Sequence, residues 1–84
     1  MATVILTEQA RLDFDALRPP MRGRVAAVIE RLARWPVVSG AKPLRGAMAG
    51  DFRVRSGDYR VTFRPVGGNV QVLRIALRRD IYED

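Results

Sequence analysis

Eighty-four residues, 48% hydrophobic and 29% charged, are expected to form a single domain over 1–84, too apolar for a disordered tail. The chain has no Cys and no His, which excludes disulfides, a Ser-His-Asp triad, a Cys-His pair and a zinc site with nitrogen or sulfur ligands. Its net charge of +6 is uneven: residues 45–79 carry eight Arg against Asp51 and Asp58, while the remainder balances at seven basic and seven acidic residues.

Thr3-Val4-Ile5-Leu6 is short and rich in β-branched residues, and reads as a first strand. The N-terminus lacks a basic region followed by a long apolar one, so no signal peptide is expected. No apolar run is long enough to span a membrane, and together with the lack of Cys this points to the cytoplasm. Thr7 has the chemistry of an N-cap, with Glu8 in the first turn where the helix dipole favours an acid. Ala10, Phe14 and Leu17 then mark one face of a short helix, stopped by Arg18-Pro19-Pro20. A second helix is predicted from about Pro20. Its stripe of Met21, Val25, Val28, Leu32 and Trp35 is widened by Ala26, Ile29 and Ala33 and closed by Pro36. The two helices make an antiparallel hairpin.

Residues 37–50 read as a loop, and the pattern then switches to period 2. Phe52 and Val54 alternate with Arg53 and Arg55; after a turn at Ser56-Gly57-Asp58, Tyr59, Val61 and Phe63 alternate with Arg60, Thr62 and Arg64. Val66-Gly67-Gly68-Asn69 is a second hairpin turn, and Val70 to Leu77 is apolar enough on both sides to be an interior strand. The expected fold is α+β in the order β-α-α-β-β-β, a helical hairpin packed on one face of a small, mainly antiparallel sheet.

Alternation places Arg53 and Arg55 on one face, together with Arg60 and Arg64. These Arg are expected to be exposed, with Val54, Tyr59, Val61 and Phe63 packed beneath against Phe14, Val25, Val28 and Leu32. Neighbouring like charges repel, so the row makes sense as a site for an external anion, phosphate above all. The competing reading is an ordinary solvated sheet face, but such faces mix acids with bases and no acid lies between Asp58 and Asp80. Arg78 and Tyr82, four apart, would share one side of a helical turn. The acids show no metal-ligand spacing, so neither a metal nor another cofactor is expected.

The order Lys42-Pro43-Leu44-Arg45-Gly46, then Phe52-Arg53-Val54-Arg55-Ser56-Gly57-Asp58-Tyr59-Arg60, then Arg78-Arg79-Asp80-Ile81-Tyr82 resembles the RelE/ParE superfamily of type II toxins. The likeness covers nearly the whole chain and is strongest to the RelE-like branch. That branch implies a ribosome-dependent, metal-independent mRNA endonuclease that attacks a phosphate with the adjacent 2′-OH. By position, Arg60, Arg78 and Tyr82 would be catalytic, and Arg45, Arg53, Arg55, Arg64 and Arg79 would bind the substrate. The resemblance also implies a cognate antitoxin with an acidic, amphipathic helical segment, a hetero-oligomer with it, and ribosome and mRNA as targets. Leu77 stands where many relatives carry a His. Two alternatives follow from the same residues: a ParE-like gyrase poison without RNase activity, and a non-catalytic nucleic-acid-binding module.

Overall fold

A computed structural model describes residues 1–77; Arg78, Arg79 and Tyr82 lie outside the described residues. Strand β1 (Thr3–Leu6) leads into helices α1 (Glu8–Asp15) and α2 (Pro19–Arg31), followed by β2 (Lys42–Pro43), β3 (Phe52–Ser56), β4 (Tyr59–Val66) and β5 (Asn69–Leu77). The sheet order is β1-β5-β4-β3-β2, with β1 parallel to β5 and the other pairs antiparallel. This is the expected α+β arrangement with one added strand: β2, two residues long, lies in the segment read as a loop and pairs Lys42 with Arg53.

The N-terminus of α1 is built as its sequence dictates. Thr7 Oγ1 accepts from the Ala10 N–H at 3.1 Å, filling one of the open donors of the first turn. The same hydroxyl donates to the Leu73 carbonyl at 3.2 Å, and the Thr7 N–H reaches the Val72 carbonyl at 3.0 Å. One residue thus caps a helix and ties it to β5. Thr7→Ala should cost about 1–2 kcal/mol, and Thr7→Ser well under half of that, as read from urea unfolding midpoints.

Pro19 and Pro20 occupy the first positions of α2, where a missing N–H costs nothing. The far end departs from expectation: the α-helix stops at Arg31 and a 3₁₀ turn covers Leu32–Arg34. The cause is Pro36. It cannot donate to the Leu32 carbonyl, and it pushes Trp35 into an extended conformation with ψ 136°. The Trp35 N–H takes the Leu32 carbonyl instead, at 3.0 Å.

The stripe on α2 behaves as predicted. Val25, Val28 and Leu32 are buried against Val54, Val61 and Phe63, with Phe14 and Tyr59 packed at the margin of the same core. Trp35 closes one end, its ring edge-on to Phe52 and Phe63 at centroid distances of 4.7 and 5.3 Å. Strand β5 is interior, with β1 on one side and β4 on the other, and its Val70 and Val72 are fully buried. Among the described residues no helix is long and apolar enough to cross a membrane.

Candidate nucleic-acid interface

The hairpin of β3 and β4 fixes which Arg residues meet. Gly57, with φ 61°, opens the two-residue turn Gly57-Asp58, the conformation a tight hairpin needs at that position. From there the register runs Ser56–Tyr59, Arg55–Arg60, Val54–Val61, Arg53–Thr62 and Phe52–Phe63. Cross-strand partners share a face, so Arg55 and Arg60 stand directly opposite each other, with Arg53 and Thr62 one step along. The Val54, Val61, Phe52 and Phe63 side chains go to the helical side. Strand β2 places Lys42 beside Arg53, and β5 places Ala76 beside Arg60 and Arg74 beside Thr62.

Burial differs from the expectation of an open row. Of the four Arg, Arg55 and Arg64 are exposed; Arg60 is 0% exposed and Arg53 9%, and Thr62 between them is buried. Sheet topology supplies part of the difference. Strand β4 is central, so Arg60 has a strand on each side, and Arg53 is flanked by Lys42 and Thr62. Strand β2 is too short to reach Arg55, which therefore keeps an open side.

The face is also less purely basic than the sequence pattern implies. Asp51 and Arg64 occupy the step beyond Phe52–Phe63, and Arg64 Nε donates to Asp51 Oδ1 at 2.6 Å. The hydrogen bond and the charge of Asp51 raise the Arg64 pKa above its ordinary value. At the other margin Arg74 Nε donates to Asp13 Oδ2 at 3.3 Å, and that carboxylate oxygen also accepts the Ile75 N–H at 2.9 Å. Asp13 on α1 thus satisfies the edge of β5 past the end of β1. Arg45 lies exposed in the loop after β2, while Arg78, Arg79 and Tyr82 fall outside the described residues.

Two members of the face escaped sequence reading. Lys42 comes in through a strand too short to show alternation. Asp51 falls at the end of a Gly-rich loop, where an acid reads as solvated. The β3–β4 face sets the exposed Lys42 and Arg55 beside the buried Arg53 and Arg60, a concentration of positive charge suited to attracting a phosphodiester.

No family model matches the chain. It is, however, 41% identical to the toxin RelG of Mycobacterium tuberculosis over an alignment covering 95% of this chain and 94% of that protein. The chain belongs to the RelE family of type II toxins. Among solved structures, the toxin is similar to a chain of the RelBE2 toxin–antitoxin complex of Mycobacterium tuberculosis, with TM-score 0.81 and 35% identity over 92% of this chain and 98% of that one. It also shares the fold of the isolated Escherichia coli RelE toxin, with TM-score 0.77 and 17% identity over 92% of this chain and 84% of that one.

Proposed function

We propose that this toxin is a ribosome-dependent, metal-independent mRNA endonuclease. A 2′-OH would attack the adjacent phosphorus, the bond from phosphorus to the 5′ oxygen would break, and a proton would pass from the attacking hydroxyl to a base while another reaches the leaving oxygen. The observation that carries this reading is the direct opposition of Arg55 and Arg60 across the hairpin, with Arg53 and Lys42 on the same face. Paired residues in an antiparallel sheet have Cα atoms about 4.5–5.5 Å apart, so a phosphate held by the exposed Arg55 lies close to the charge of the buried Arg60.

Arg55, at the open side, and Arg53 hold the phosphate. Arg60, sheltered from solvent where its charge is less screened, stabilises the phosphorane together with Arg78. Tyr82 transfers the proton, because Arg stays protonated and makes a poor base. Arg45 and Arg79 add attraction for the RNA backbone. Arg64, paired with Asp51, is not counted in this set. The partner is a cognate antitoxin with an acidic amphipathic segment, which the +6 charge complements, and the complex is a hetero-oligomer. The RelBE2 neighbour, itself a toxin–antitoxin complex, supports that assignment. Action on ribosomes places the toxin in the cytoplasm.

The test is to add purified toxin to ribosomes programmed with a labelled mRNA, and in parallel to gyrase with relaxed plasmid. The expected result is mRNA cut on the ribosome to fragments ending in a 2′,3′-cyclic phosphate, with supercoiling unaffected. Arg55→Ala should raise the half-saturating ribosome concentration by about tenfold through loss of a group that holds the phosphate. Intact mRNA with blocked supercoiling would instead establish the ParE-like activity on the same fold.

A further inference from the structure

The row of cross-strand pairs on the basic face ends in an ion pair with unusual connections. Asp51 takes Arg64 in two prongs, Nε to Oδ1 at 2.6 Å and Nη2 to Oδ2 at 3.3 Å. The Asp51 side chain is 6% exposed and the Arg64 side chain 52%. The Asp51 backbone is engaged in both directions: its carbonyl accepts from the Leu44 N–H at 2.9 Å, and its N–H donates to the Met48 carbonyl at 3.0 Å. Three pieces of chain therefore meet at one residue. These are β4 through Arg64, the end of β2 through Leu44, and the intervening loop through Met48.

That loop has little else to hold it. Every residue of 45–50 is exposed, and Gly46 and Gly50 take φ of 65° and 99°, conformations that only Gly adopts readily. Leu44 is its buried anchor at one end and Asp51 at the other. The segment carries the exposed Arg45 and adjoins Lys42, which pairs with Arg53 on the basic face. A segment with few buried contacts opens locally at low cost unless polar ties hold it.

We infer that Asp51 and Arg64 form a latch that fastens the 44–51 loop to β4 and so keeps Lys42 and Arg45 at the edge of the phosphate-binding face. They are positioning residues, acting on RNA through the loop. The consequence for RNA rests on the nuclease reading above; the latch itself rests on the hydrogen bonds alone. A direct phosphate contact by Arg64 fits the geometry poorly, because the Asp51 carboxylate beside it repels an anion well within a Debye length of about 10 Å.

The experiment compares Asp51→Asn, Arg64→Gln and Arg64→Lys. Amide hydrogen exchange at Leu44 and at residue 51, the two amides bonded across the base of the loop, is measured in the free toxin, and single-turnover cleavage is titrated with mRNA-programmed ribosomes. The latch predicts that Asp51→Asn and Arg64→Gln each speed exchange at both amides by about three- to tenfold, with Arg64→Lys closer to wild type. The Val61 and Ile75 amides in the same samples should keep their protection, which reports an intact core. Both variants should also raise the half-saturating ribosome concentration by about three- to tenfold, with the maximal rate unchanged. A direct phosphate contact predicts opposite signs: Arg64→Gln weakens binding, Asp51→Asn strengthens it by releasing Arg64, and loop exchange stays the same. That pattern would overturn the latch. If wild-type toxin leaves ribosome-bound mRNA whole, the nuclease reading fails, and exchange in the free toxin still decides the latch by itself.

Discussion

Leu32→Ala is expected to lower the unfolding free energy by about 2–5 kcal/mol, the range for large-to-small changes at fully buried sites. Leu32 is 0% exposed and lies where α2 passes into the 3₁₀ turn, in one cluster with Val28, Val54, Val61 and Phe63. That position decides where within the range the loss falls. A cavity closes easily if its walls can move, but here one wall is the sheet and another is the Trp35, Phe52 and Phe63 group, whose ring centroids lie 4.7–5.8 Å apart. Both are fixed by other contacts, so little collapse is available and the upper half of the range applies. A chain of this length has a total stability of roughly 4–13 kcal/mol, so the variant would retain little margin at 37 °C. Leu32→Met, which nearly conserves volume, should lose under about 1.5 kcal/mol. Urea titration followed by Trp35 fluorescence measures both. A loss under 1 kcal/mol for the Ala variant would mean that the helical hairpin is not anchored where the packing places it.

The features legible in the sequence are those written in local patterns. Period 3.6 over Met21 to Trp35 and period 2 over Phe52 to Arg64 located α2, β3 and β4, and glycines at 57 and 67 marked the two tight turns. Alternation also gave the correct face for Arg53, Arg55 and Arg60. It could not give their burial, because burial depends on which strands flank each one. Arg60 is enclosed as a central-strand residue, and Arg55 is open because β2 stops short of it. The short strand β2 has too few residues to alternate, so Lys42 was hidden with it. The Asp51–Arg64 pair is a different case. Once the turn is set at Gly57-Asp58, counting outward one residue per strand reaches Asp51 opposite Arg64, because register in a hairpin is fixed by its turn. That signal was present in the sequence, masked by the Gly-rich loop ahead of it.

The largest expected effect on activity is at Tyr82. Tyr82→Phe removes one hydroxyl and almost no apolar area, so folding and antitoxin binding should stay near wild type. If that hydroxyl carries the proton, single-turnover cleavage on the ribosome should fall by about 10²–10⁴-fold, the usual worth of a positioned general acid or base. A phenol ordinarily ionises near pH 10, so a role as base requires nearby positive charge to favour the phenolate. Arg60→Ala tests the companion role. If Arg60 stabilises the phosphorane as proposed, removing its charge should cost about 10²–10³-fold in the maximal rate. Because Arg60 is fully buried, its replacement also threatens the fold, so the result counts only where the urea midpoint and antitoxin binding are preserved. Arg60→Lys supplies the control that keeps the charge and loses the two-pronged geometry. Full cleavage by Tyr82→Phe would remove Tyr82 from the chemistry and leave the proton to a group of the ribosome or the RNA itself. Intact RNA in the wild type, with toxicity retained by both Tyr82→Phe and Arg60→Lys, would move the target from mRNA to gyrase.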